Sequence, residues 1–345
     1  MRFSEFMRSW LYGPQGYYAT HPVIGKKGDF YTAVSSSMFF GGSIANRLIR
    51  VIDEGFLRPD TTVLEIGAHQ GYMMADMIQF IYTLRPELLQ SLKFAIIEPQ
   101  SENIRVQLAY FKEAFGDAVK LRHFTSLEEV RLKEAFVVAN ELFDAFACEV
   151  VKKEQMLYIE GFTPVFGEKE KKIAQIAQRY EIERGEIALG YEAFAASMAD
   201  AIGKFEFVTF DYGETHPRND FSLRIYHKHH VYPFFALTPF VTDEEEKPEG
   251  VSLQSLFRKS DITYDVHFTH LMDAFLEAGI ETVMYKTQLA MLVDFGIIDL
   301  LEILRKNASD EAYQSEMNRA KLLIDPAFMG ERFKGVVFRK EGKWE

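Results

Sequence analysis

The sequence predicts an α/β fold: an open, mostly parallel sheet with helices on both faces, an N-terminal helical extension and an inserted lid or substrate subdomain. Three observations predict it. Short apolar strands alternate with amphipathic helices from Thr62 onward, the pattern of a parallel sheet. The first of these strands runs directly into a glycine-punctuated turn, Gly67-Ala68-His69-Gln70-Gly71. An acidic residue, Glu98, closes the next strand.

Taken in order, Met1 to Tyr12 sets Phe3, Phe6, Met7, Trp10 and Leu11 on one helical face. Glycine-rich stretches follow at 11–18 and 25–32, and Ser35 to Ile52 reads as a helix with serines available as caps. Strands are expected at Thr62–Ile66, Lys93–Ile97, Val119–Phe124, Ala135–Ala139 and Glu206–Phe210, with helices at Tyr72–Leu84, Ser101–Phe115 and Glu192–Lys204. The charged segment from Glu149 to Arg184 reads as an antiparallel excursion. From Thr215 to Asp261 the periodicity breaks into His, Pro, Phe and an acidic run, Asp243 to Glu246, as a long insertion would. Helices return at His270–Ala278 and Gln288–Lys306, and Phe333–Arg339 closes as a strand. The expected division is 1–60, N-terminal helices and a cofactor-covering segment; 61–213, the core; 214–262, the insertion or lid; and 263–345, the completion of the core.

The 345 residues are 48% hydrophobic and 14% aromatic, ample for a large core. A net charge of −12 disfavours a broad nucleic-acid footprint, which needs clustered cations. The single cysteine, Cys148, excludes an internal disulfide and suits a reducing compartment. The N-terminus lacks the apolar core of a secretory signal, and no apolar run approaches the ~20 residues of a membrane span. These features lead to the expectation of a cytoplasmic protein without membrane insertion; oligomeric state stays open.

The turn after the first strand lets backbone approach a ligand closely and aims helix amides at it. Glu98 stands where a carboxylate accepts hydrogen bonds from sugar hydroxyls, so a ribose-bearing cofactor is expected. A dinucleotide fingerprint would read G-x-G-x-x-G with an acid about 20 residues further on. The spacing here is Gly-x-x-x-Gly with Glu98 lying 27 residues past Gly71, which disfavours an NAD-linked oxidoreductase. Asn140-Glu141-Leu142-Phe143-Asp144 and Asp211-Tyr212-Gly213 follow strands, and polar groups at the carboxyl ends of parallel strands face a reacting centre. His227, His229 and His230, with His216 nearby, lack zinc-ligand spacing, and no metal is expected.

Several phrases together resemble the MidA family of class I S-adenosylmethionine-dependent methyltransferases, which includes the mitochondrial arginine methyltransferase required for respiratory complex I assembly. They are Tyr12-Gly13-Pro14 through Gly16-Tyr17-Tyr18, Gly28-Asp29-Phe30-Tyr31-Thr32-Ala33, the Glu65 to Gly71 turn, Asn140 to Ala145, and Asp211-Tyr212-Gly213. Asp261-Ile262-Thr263, Phe295-Gly296-Ile297, and Met329-Gly330 with Phe333-Lys334 complete the ordered set over nearly the whole chain. Two positions depart from the family pattern. The middle glycine of the turn is His69, and His-Val-Asp-Phe is replaced by Asp265-Val266-His267-Phe268.

The resemblance implies a Rossmann-like class I methyltransferase sheet binding S-adenosylmethionine. Gly28, Asp29, Phe30, Glu65, Gly67, Gly71, Glu98 and Asn140 are the expected cofactor residues, the first three folding over it. Glu141, Asp144, Asp211 and His267 are the expected catalytic residues. Glu141 and Asp144 would clamp a protonated guanidinium, and His267 would act as proton acceptor with Asp265 as its orienter. The expected substrate is a protein side chain, most plausibly an arginine of a respiratory-complex subunit or of another protein. The competing expectations are a non-catalytic assembly factor or chaperone retaining the fold, which His69 would favour, and a small-molecule methyltransferase.

Overall fold

The structure is a computed structural model and describes residues 1–20, 32–240 and 250–342. The chain folds as two compact units. One comprises Thr32–Leu142, Glu192–Asp211 and Ala274–Glu345; the other comprises Met1–Tyr31, Phe143–Tyr191 and Tyr212–Asp273. Each is therefore assembled from separated stretches of sequence.

The first, the sheet unit, is built on seven strands: β1 Thr62–Ile66, β2 Lys93–Ile97, β3 Leu121–Phe124, β4 Leu132–Asn140, β5 Ile202–Glu214 (its Ile202–Asp211 part), β6 Glu281–Thr287 and β7 Phe333–Lys340. Their order is β6-β7-β5-β4-β1-β2-β3. β3, β2, β1, β4 and β5 are parallel throughout, and β6 and β7 pair antiparallel. The order reverses direction between β1 and β4, the switch point at which open α/β sheets bind ligands.

Period-two alternation gives both sheet faces apolar side chains. Val63, Phe136, Val138, Val208, Phe210 and Val337 join one cluster with the Phe39–Asp53 and Tyr72–Leu84 helices, and the Phe40 and Phe210 rings lie 5.0 Å apart. On the opposite face Phe207 and Phe338 stack on Phe275, at 5.9 and 4.0 Å. Helices thus cover both faces, as parallel sheets require. β5 also buries Glu206, whose carboxylate accepts from Arg47 Nε at 2.7 Å and from Arg339 Nε at 2.6 Å.

In the second unit the amphipathic Phe3–Leu11 helix buries the expected stripe of Phe3, Phe6, Met7, Trp10 and Leu11. The antiparallel excursion is a four-stranded sheet ordered Thr163–Glu168, Gln155–Glu160, Cys148–Lys152, Arg184–Ala188. The histidine run is a hairpin. His227 pairs with His230, and Lys228 and His229 take left-handed φ of 48° and 65°, the conformation a tight two-residue turn demands. Among the described residues no group of three or more His, Cys, Asp or Glu is placed to hold a metal ion. No helix among them is long and apolar enough to cross a membrane. The Asp243–Glu246 run and the Gly28-Asp29-Phe30 segment lie outside the described residues.

Candidate functional site

β1 and β4 are level at Glu65 and Val138, so Gly67 and Asn140, two residues on in each, leave the sheet side by side at the switch point. The turn that follows β1 needs three left-handed residues. Gly67 has φ 73°, His69 φ 49° and Gly71 φ 81°. An unbranched L-residue tolerates that region at modest cost, so His69 meets the backbone requirement of the glycine it replaces. Its carbonyl accepts from Gln107 Nε2 at 2.7 Å, and Gln107 Oε1 lies 2.7 Å from His123 Nε2. Gln107 is completely buried. The turn is thereby tied to the Ser101–Phe115 helix and to β3.

Glu65 reaches the helix that follows the turn. Its Oε2 accepts from the Met74 amide at 3.2 Å, capping the Tyr72–Leu84 helix from the adjacent strand. Burial outweighs that bond and pushes its pKa up to about 8. Asp76, which adds to the rise in Glu65, is itself raised to about 7 by burial. Gly71 is the residue before that helix, where a Cβ would lie 2.9 Å from Phe111 Cε2. A Cβ on Gly67 would meet only Leu142 Cδ1, at 3.8 Å. That space above an exposed glycine is open to a ligand.

Glu98 closes β2 with its carboxyl buried, one oxygen accepting the Gln100 amide at 2.9 Å, and burial raises its pKa. At the end of β4, Asn140 Nδ2 donates to Glu141 Oε1 at 2.8 Å, which fixes the orientation of the carboxamide. Its Oδ1 is buried with no hydrogen-bond partner among the described residues. Glu141 adopts φ 50°, and its amide donates to Phe210 O of β5 at 2.8 Å. Asp211, next in β5, is fully buried. The structure therefore gathers Gly67, Gly71, Glu98, Asn140, Glu141 and Asp211 at one end of the sheet, while Glu65 serves the helix behind them.

Asp144 and His267 belong to the second unit. Asp144 is buried, and the Tyr212 hydroxyl donates to its Oδ2; Tyr212 Oη also lies 2.6 Å from Thr263 Oγ1. Burial raises the Asp144 pKa against the opposing pull of Tyr212 and Arg224. The Tyr18 hydroxyl donates to Asp261 at 3.0 Å, so two buried acids are each held by a tyrosine. Tyr212, Tyr18 and Asp261 were visible in the sequence only as parts of familiar phrases, with no chemistry attached.

The expected pairing of His267 with Asp265 is not what the structure contains. Asp265 accepts from Arg218 Nη1 at 2.5 Å and from Arg224. His267 Nδ1 instead accepts the His270 amide at 3.1 Å, which leaves the ring proton on Nε2 in the neutral form. That Nε2 is buried without a partner among the described residues, beside a cavity of about 40 Å³ that Glu186 and His216 also line. Burial, with His270 and His216, pushes its pKa down to about 4. In this arrangement the neutral ring carries its proton on Nε2 and presents a donor.

The glycine turn, the orphaned Asn140 oxygen and the acid closing β2 fit S-adenosylmethionine, a ligand with a ribose and several N–H donors. Known proteins point the same way. The family described as "Putative S-adenosyl-L-methionine-dependent methyltransferase" matches residues 44–286. The mitochondrial protein arginine methyltransferase NDUFAF7 of Rattus norvegicus is 22% identical, covering 96% of this chain and 79% of its own length. Its Xenopus tropicalis counterpart is also 22% identical, over 96% of this chain and 80% of its own. A crystal structure from Burkholderia thailandensis, titled a "likely methyl transferase" bound to S-adenosyl-homocysteine, shares the fold with a TM-score of 0.79. It is 23% identical and covers 100% of this chain and 89% of that one. The resemblance to the MidA type is borne out, and the chain belongs to this family of S-adenosyl-L-methionine-dependent methyltransferases.

Proposed function

We propose that this methyltransferase modifies a protein side chain, with arginine as the acceptor. The observation that carries the reading is the pair of carboxylates at adjacent strand ends, Glu141 after β4 and Asp211 in β5, in a chain whose curated relatives bear the name protein arginine methyltransferase. A guanidinium stays protonated at neutral pH, with a pKa above ~12, and offers only donors. Carboxylates complement it, orient the attacking nitrogen and draw positive charge toward the far side of the group.

The bound cofactor supplies an electrophilic methyl on a sulfonium. What the chain contributes is alignment, since displacement needs the nucleophile about 3–3.5 Å from that carbon. Gly67 and Gly71 would admit the cofactor against the backbone, Glu98 would accept from its sugar hydroxyls, and Asn140 Oδ1 would accept an N–H. Gly28, Asp29 and Phe30 keep the covering role that the family resemblance assigns them. Glu141 would hold the guanidinium, with Asp211 at the adjacent strand end; a part for Asp144 in holding the acceptor rests on the family resemblance alone. His267, neutral and protonated on Nε2, would donate. A cytoplasmic location and a respiratory-complex subunit as substrate complete the reading. The buried free thiol of Cys148 supports a reducing compartment.

The test is transfer of labelled methyl to an arginine-containing peptide and to its lysine counterpart by wild-type and Glu141→Gln protein. Label on arginine alone, falling about 100-fold in the variant while S-adenosylhomocysteine affinity holds, supports the reading; the size is that of removing one preorganised charge contact. Label on lysine, or undiminished transfer by the variant, would overturn it.

A further inference from the structure

The Tyr12-Gly13-Pro14 phrase plays no part in the cofactor site described above, yet it lines a second cavity. This open pocket, of about 670 Å³, is formed by Arg8, Ser9, Tyr12, Gly13, Pro14, Phe146, Ala147 and Leu189, all within the second unit. Ligand sites typically measure about 300–1,000 Å³ and combine apolar walls with a few polar groups. The walls here are the Tyr12 ring, 53% exposed, with Pro14, Phe146 and Leu189. The Tyr12 hydroxyl donates to Ala145 O at 2.9 Å, which anchors the ring beside the pocket.

The polar group is Arg8, and its ordinary structural employments are all taken. Glu5, one turn back, is held by Arg2, through Oε1 at 3.2 Å and Oε2 at 3.1 Å. At the helix end, Arg8 O accepts the Tyr12 amide at 2.8 Å, and Ser9 O accepts Arg258 Nε at 3.0 Å. Arg258 also donates from Nη2 to Ser9 Oγ at 2.8 Å. The Arg8 guanidinium makes no hydrogen bond or ion pair among the described residues. An exposed, unpaired guanidinium beside aromatic walls is a local exception on a chain of net charge −12.

We propose that this pocket takes an extended segment of the polypeptide substrate in which an acidic side chain neighbours an aromatic or large apolar one. The carboxylate meets Arg8, and the aromatic group lies against Tyr12 and Phe146. A Cβ at Gly13 would fall 2.8 Å from Ser9 O, so a side chain there would disturb the helix end that presents Arg8. The proposal rests on the acceptor being a protein, and it adds a substrate determinant outside the cofactor site.

The experiment is calorimetric titration of the full chain, saturated with S-adenosylhomocysteine, with N-acetyl-Asp-Phe-Leu-amide, its Lys-Phe-Leu counterpart and free phenylpropionate. The Asp peptide should bind wild type, bind Arg8→Gln about fivefold more weakly, the scale of an exposed ion pair, and lose binding to Arg8→Glu. The Lys peptide should prefer Arg8→Glu. S-adenosylhomocysteine affinity should be the same in all three proteins, which shows that the variants are folded. Equal binding of the two peptides, indifference to Arg8, or phenylpropionate binding as well as the Asp peptide would each overturn the proposal. Because no methyl is transferred in this assay, peptide binding without arginine labelling by wild type would place the fault in the acceptor reading and not in the pocket.

Discussion

Gly67 and Gly55 are a matched pair, and Gly67→Ala with Gly55→Ala separates backbone strain from ligand approach. Their φ angles are 73° and 74°; both are exposed and belong to the sheet unit. An added Cβ meets nothing within 4 Å at Gly55 and only Leu142 Cδ1 at 3.8 Å at Gly67, an ordinary contact. Neither substitution therefore creates a clash. The cost is that of a left-handed alanine, about 1–2 kcal/mol, less about 0.4–1 kcal/mol because alanine has fewer unfolded conformations to lose. A net loss of about 1 kcal/mol is expected at both positions, a fall of a few degrees in Tm. Gly55 follows the Phe39–Asp53 helix, before β1, whereas Gly67 follows β1 at the switch point. Calorimetric titration with S-adenosylhomocysteine should then find Gly55→Ala equal to wild type and Gly67→Ala at least tenfold weaker, about 1.4 kcal/mol. Equal stability losses with equal affinities would refute the claim that ligand approaches over Gly67. A much larger stability loss at Gly67 would show that the turn has neighbours the geometry does not reveal.

Other expectations follow from the same unit and its companion. Glu206→Gln removes the charge held by Arg47 and Arg339 in a fully buried setting, and urea unfolding should show a loss of about 3 kcal/mol; a loss below about 1 kcal/mol would mean the ions are solvated. Glu65 carries a pKa raised from 4.5 to about 8, so the folded state binds the extra proton over that window and its stabilising contribution is lost as pH rises. Glu65→Gln keeps an acceptor for the Met74 amide without titrating. Its stability relative to wild type should rise between pH 5 and 8 by on the order of 1 kcal/mol per pH unit, and a parallel pair of stability curves would exclude the shift. The methyl-transfer rate should show no limb near pH 6.5 due to His267, whose pKa lies at about 4; a limb present in wild type and missing in His267→Gln would restore it as the proton acceptor.

How legible these features were in the sequence depends on how far apart their causes lie along the chain. β1, β2 and the Tyr72–Leu84 and Ser101–Phe115 helices occupy the residues that periodicity and glycine punctuation mark out, because both signals are local. The Lys171–Arg179 and Asp310–Ile324 helices were not expected. The Asp310–Ile324 helix buries only Ala320 and Leu323 and carries little apolar periodicity, whereas the Lys171–Arg179 helix is amphipathic but short and set within a charged segment that reads as antiparallel strands. β6 was missed because most of its residues are only partly buried, leaving no run of apolar residues. The expected Gln288–Lys306 helix is broken after Asp294 by Gly296, whose φ of 87° starts a new one.

The same distinction applies to the site. The cofactor turn is encoded within ten residues by strand, glycines and helix, so its chemistry can be inferred before any fold exists. The acids around it cannot be treated alike on that basis. Glu65 and Asp144 stand in equally suggestive phrases, yet one is spent on the Met74 amide nine residues away and the other on a tyrosine 68 residues away. The Asp265–His267 pairing failed for a related reason: arginines at 218 and 224 compete for the carboxylate, and a cation with fixed planar donors outbids a neutral imidazole. Adjacency in sequence therefore identifies where a methyltransferase presents polar groups, whereas their protonation and direction follow from partners that only the folded chain supplies. Glu141 is the informative case between these limits. Its left-handed φ and its neighbour's carboxamide are both local, and Asn140 Nδ2 donates to its carboxylate at the end of β4. That is why the substitution of this one acid is the sharpest test of the proposed acceptor.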